Sequence, residues 1–199
     1  MKRVKIALAV LAVALVSVIV WQVAQPSEPE PLYKGKPLSF YVQAYIRDPL
    51  RPKGVPTRQE AEEALRQAGT NAIPTLLRMI RATDSPLKLK LINLARKQHI
   101  FLQHRPAYFS NYAAMEMFHV LGPKAAGAVP ALLDIASQNT SPDCQFCALQ
   151  ALVYIGPAAK ETVPTLLRWA TNADPRLRRT ASDTLRRVDP KAALNAGIP

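Results

Sequence analysis

Apolar positions in this chain recur on a helical period, and the phrase that carries them returns after 34 residues. Leu121-Gly122-Pro123 through Val129-Pro130-Ala131-Leu132-Leu133 reappears as Ile155-Gly156-Pro157 through Val163-Pro164-Thr165-Leu166-Leu167. A fixed period of this size predicts stacked supersecondary units, each burying its apolar face only against its neighbours. Counted from Pro74, Pro130 and Pro164, one helical face collects Leu76, Leu77 and Ile80, then Leu132, Leu133 and Ala136, then Leu166, Leu167 and Ala170. That face is predicted to be core. The intervening row, Arg78, Asp134 and Arg168, is predicted to face solvent and, with Arg81, to form the partner-binding surface. Trp169 shares its offset with Met79 and Ile135, which places it in the core rather than on that surface.

The first helices of the units align as Ala148, Leu152 and Ile155 with Ala181, Leu185 and Val188. Their starts are marked by capping chemistry: Thr57 with Glu60 forms a capping box, and Ser85-Pro86, Ser141-Pro142 and Asp174-Pro175 place a side-chain oxygen before a proline in the first turn. No segment alternates with period two and no Asn-Gly turn occurs, so the fold class is all-α, a short α-α superhelix. The final unit has only Pro190–Gly197 for its second helix and is expected to be truncated or to act as a cap, and the earliest copy, Ala61–Ile80, is divergent. Pro74 and Pro130 lie too far apart for one unit, which places an insertion at about 87–112: a helix from about Leu87 to Gln103, a turn at Arg105-Pro106 and an aromatic run of Tyr108, Phe109 and Tyr112.

Ahead of the repeats, Met1-Lys2-Arg3-Val4-Lys5 leads into an uncharged stretch from Ile6 to Ala24. As a helix at about 1.5 Å per residue it covers roughly 28 Å, close to the hydrocarbon thickness of about 30 Å. Residues 1–24 are therefore expected to be a transmembrane signal anchor, with a cleaved signal peptide as the alternative. Gln22 stands where cleavage after Ala24 wants a small residue, which favours the anchor. The basic N-terminus then stays in the cytoplasm and the domain is extracytoplasmic, periplasmic if tethered and secreted if cut. Residues 25–38, with four prolines, are expected to be a semi-rigid linker before a repeat domain at 39–199.

The 34-residue unit, its proline-led second helix and the Asp174-Pro175-Arg176-Leu177-Arg178 start resemble bacterial HEAT-like repeats of the bilin-lyase type over about residues 57–189. The segment Tyr33 to Ser39 is similar to the start of membrane-tethered HEAT-repeat proteins. The resemblance implies a protein-binding scaffold, with a basic solenoid that binds nucleic acid or another polyanion, or a HEAT-like lyase or chromophore-binding protein, as the alternatives.

Catalytic signatures are absent from the sequence: there is no phosphate-loop motif, no Gly-x-Ser-x-Gly and no His-Glu-x-x-His. An enzyme is not expected, and no cofactor is assigned. Cys144 and Cys147 are expected to pack in the core, with a disulfide or redox role as alternatives. His99, His104 and His119 match no zinc spacing, so no metal is assigned.

Charge adds one asymmetry. Residues 34–105 hold 14 Lys/Arg against five Asp/Glu, whereas 106–199 hold nine against seven. Anionic lipid becomes a possible partner of the membrane-proximal half, beside the expected protein or peptide. A nucleic-acid role would use Arg78, Arg81, Lys88 and Lys90, and export argues against it.

Overall fold

The computed structural model describes residues 29–45, 54–97, 99, 105–138 and 140–198. The expected anchor at residues 1–24 lies outside them. Among the described residues, no helix is long and apolar enough to cross a membrane.

The chain starts with a correction. Half of the expected linker is packed structure: β1 (Leu32–Tyr33) pairs antiparallel with β2 (Lys36–Pro37), and α1 (Leu38–Val42) follows directly. The two-residue loop places Lys34 at φ 47° and Gly35 at φ 73°, and a pair of left-handed residues matches the twist of a tight hairpin. This small ribbon departs from a purely helical domain. Glu30 accepts the Ser39 main-chain N–H at 2.9 Å, and the Tyr33 ring meets Tyr41 edge-on at 5.1 Å. Leu38, Tyr41 and Val42 are buried, so the ribbon and α1 close the open end of the first repeat.

Behind this cap come the repeats. The first pairs α2 (Arg58–Ala68) with α3 (Ile73–Ile80), and α4 (Pro86–Lys97) then leaves the stack. The second pairs α5 (Ala107–Leu121) with α6 (Val129–Gln138), and the third pairs α7 (Pro142–Ile155) with α8 (Val163–Trp169). The fourth joins α9 (Pro175–Val188) to a short α10 (Pro190–Asn195). Consecutive first helices stack, and each second helix packs against the first helix of the next repeat, which is how a solenoid buries a continuous core.

Local chemistry repeats with the units. Thr57 and Glu60 form the capping box, while Ser85, Ser141 and Asp174 accept main-chain N–H groups of the first turns they precede. Gly69, Gly122 and Gly156 end the first helices at nearly identical angles, φ 54° to 66° with ψ near −135°. Few side chains tolerate that conformation. Each glycine N–H donates to the carbonyl four residues back, on Leu65, Phe118 and Leu152, whose side chains are fully buried. Asp189 replaces glycine in the last unit, and its side chain caps α10 through the N–H groups of Lys191 and Ala192. The second helix therefore starts at once and stays short.

The expected core rows are buried or half-buried throughout: Leu76, Ile80, Leu132, Ala136, Leu166 and Ala170 lie inside, with Leu77, Leu133 and Leu167 packed at the margin. Two boundaries of the insertion move. Its helix, expected to reach Gln103, ends at Lys97, and His99 at φ 58° has left the helical region; residues 98 and 100–104 lie outside the described residues. The aromatic run belongs to the repeat, not the insertion, because Tyr108, Phe109 and Tyr112 sit in α5, which buries Asn111, Ala113, Ala114, Met117 and Phe118.

Candidate functional site

The expected second-helix row is largely engaged with the protein itself. Arg78 forms an ion pair with Glu30, carried over from the N-terminal cap. Arg81 donates to Asp134 at 3.2 Å across two repeats, and Gln138 shares the same carboxylate at 2.9 Å. Arg168 stands apart on α8, exposed. Trp169 is buried, as are Met79 and Ile135 at its repeat position. Of the four cations named for a polyanion, Arg78, Arg81 and Lys88 have carboxylate partners, the last through Asp84 at 2.9 Å.

Cys144 and Cys147 are free and buried in α7. Burial pushes the Cys147 thiol strongly upward, and the nearby Asp143 carboxylate adds to the shift, so Cys147 keeps its proton rather than presenting a reactive thiolate. The His119 ring lies tilted against Tyr154, 4.8 Å between centroids, and His104 lies outside the described residues. Among the described residues, no group of three His, Cys, Asp or Glu side chains is placed to hold a metal.

The structure presents a different surface, on the first helices. Between α7 and α9 runs an open groove of about 520 Å³ whose apolar lining is Phe146, Leu149 and Leu177. Phe146 leaves 38 % of its surface exposed, while Leu149 is fully buried and anchors the floor. An aromatic strip extends it: Phe146 lies 5.9 Å from Tyr112, and Tyr112 lies 6.5 Å from Tyr108 one turn earlier on α5. Burial raises the Tyr112 phenol, so its hydroxyl stays protonated beside the strip. Tyr112 and Phe146 are separated by the 34-residue period, so the strip is itself a repeat feature.

Charge on the groove rim is uneven. Asp143 lies in the first turn of α7, where the helix dipole favours an anion, Asp174 caps α9, and Asp183 pairs with Arg186. Arg176 and Arg179 instead occupy the first turns of α9, the end at which a helix disfavours cations by about 0.3–1 kcal/mol each. Among the described residues, neither has a carboxylate partner. The groove therefore has an apolar floor and a rim of mixed charge, on which Arg176 and Arg179 stand as cations beside Asp143, Asp174 and Asp183. The repeat alignment contains this signal: Tyr112 and Phe146 are aromatic residues at a first-helix position outside the Ala148, Leu152 and Ile155 core row.

Residues 129–196 match the profile of the family described as HEAT repeats. That span contains both walls of the groove and supports a HEAT-like repeat family. Comparison with curated proteins and with solved structures found no match.

Proposed function

We propose that this protein is a non-enzymatic, membrane-tethered HEAT-like scaffold that holds an acidic, aromatic- or leucine-bearing segment of a partner protein in the α7–α9 groove. One observation carries this assignment: an apolar cleft between two repeats has on its rim two arginines that, among the described residues, form no ion pair with a carboxylate. An apolar side chain of the partner enters between Phe146 and Leu177, and Asp or Glu residues beside it meet Arg176 and Arg179. HEAT repeats are suited to such a role, because stacking gives an extended groove without a deep pocket. The tether at residues 1–24 is the sequence expectation, and the domain it carries is extracytoplasmic. The second-helix cations Arg78, Arg81 and Arg168, with Asp134, then form the opposite edge of the scaffold.

Panning a random peptide display library against the full chain in detergent micelles tests the proposal. Enriched peptides should carry an aromatic or leucine flanked by acids, and should lose binding to a Phe146→Ala, Arg179→Glu variant with an unchanged helical spectrum. Enrichment of basic peptides, or binding indifferent to that variant, would overturn it.

A further inference from the structure

α4 is the one long helix among the described residues that buries none of its side chains. Leu87, Leu89, Leu91 and Leu94 are exposed by 61 %, 43 %, 45 % and 57 %. At 100° per residue, Leu87, Leu91 and Leu94 share one face with Ala95 beside them, while Lys90, Arg96 and Lys97 fall on the flanks and opposite side. No acid occurs between Pro86 and Lys97. Asp84, just before the helix, engages Lys88, and among the described residues Lys90, Arg96 and Lys97 have no carboxylate partner. Three leucines on one face bordered by Lys90 and Lys97, with Leu89 and Ile92 beside Arg96 on the other side, suit a helix that lies in the plane of an anionic lipid surface.

We propose that α4 is an in-plane lipid-binding helix that rests its Leu87, Leu91 and Leu94 face on a bilayer containing anionic lipid. At 12 residues it is too short to span the hydrocarbon core and long enough to float at its edge. Lysine and arginine stems reach from that depth to head-group phosphates. Its position in the fold agrees: Glu30, just beyond the apolar stretch that ends at Ala24, is seated on Arg78 of α3, and α4 leaves the stack one short turn after α3. Arg105, where the excursion returns, donates to the Gln43 carbonyl at 2.9 Å, beside α1. The N-terminal approach and α4 thus share one end of the solenoid, leaving the α7–α9 groove at the other. The proposal is independent of the groove, and a probe on α4 reports on the helix whether or not residues 1–24 anchor the chain.

The test labels the full chain at Leu91→Cys with an environment-sensitive NBD fluorophore; the buried native thiols leave little background. Vesicles of phosphatidylcholine, alone or with phosphatidylglycerol, are compared. A severalfold rise in blue-shifted emission with phosphatidylglycerol, quenched by brominated acyl chains and weakened by salt or by K90E/R96E/K97E, is expected. Water-like emission in both vesicles would overturn the proposal. So would a blue shift that grows with protein concentration and ignores bromolipid, which would identify a second copy or protein partner as the occupant.

Discussion

The side-chain amide of Asn111, inside the first helix of the second repeat, donates to the main-chain carbonyl of Ile80 at 2.8 Å, at the end of the preceding repeat's second helix. The same nitrogen lies 2.9 Å from the carbonyls of Met79 and Ala82, so one side chain that is 1 % exposed serves the C-terminal end of α3. The contact ties two repeats together at the point where α4 leaves the stack.

Asn111→Leu should therefore destabilise the fold by about 1–3 kcal/mol, the cost of leaving buried carbonyls without donors. Urea unfolding of the full chain in mild detergent, followed by far-UV circular dichroism, measures it. A loss below a few tenths of a kcal/mol would mean that water replaces the amide.

The two kinds of glycine at the repeat junctions should respond with opposite sign. At Gly156, φ is 66° and an added Cβ would meet nothing, so the cost of Gly156→Ala is conformational, about 1–3 kcal/mol. Gly127 has no positive φ and also has open space, so Gly127→Ala should be neutral or stabilise by about 0.4–1 kcal/mol. Thermal unfolding of the two variants checks the pair.

Much of this architecture is legible in the sequence because its determinants are local. Thr57, Ser141 and Asp174 cap the helices they precede, and the Leu-Leu pairs after Pro130 and Pro164 need only a helical period to be assigned to the core. What escaped depends on contacts distant in sequence or on unusual backbone. The hairpin turns on Lys34, a non-glycine residue in the left-handed region, and its packing depends on Glu30 meeting Arg78 across 48 positions. The leucines of α4 follow a helical period that looks like a core helix, yet among the described residues α4 buries none of its side chains. The groove needs two repeats side by side, so Phe146 and Leu177 acquire meaning only when α7 and α9 are adjacent.

Alkaline pH should weaken the fold through Cys147. Its ordinary value is 9.0, and burial raises it in the native state. The folded protein then keeps a proton that the unfolded chain releases, so the stabilisation is fully present below pH 9 and is lost as pH rises above it. The slope should approach about 1.4 kcal/mol per pH unit for this thiol. Urea midpoints at pH 8, 9 and 10 should fall less in Cys147→Ala, and thiol labelling of the native protein at pH 8 should be slow until it unfolds.

The expected tether at residues 1–24 has its own check. Protease added to intact cells, with the outer envelope permeabilised, should remove the repeat domain while the chain fractionates with membranes. Protection until the inner membrane is lysed would place the domain in the cytoplasm and contradict the expected orientation.

Site-specific photo-crosslinking in cells tests the scaffold assignment most directly. With benzoylphenylalanine placed in the full chain at Gln145 or Thr180 on the groove, or at Arg168 on the second-helix face, irradiation should yield a discrete protein adduct from the two groove positions and none from Arg168. Adducts from Arg168 alone, or none from either groove position, would contradict the groove as the binding site.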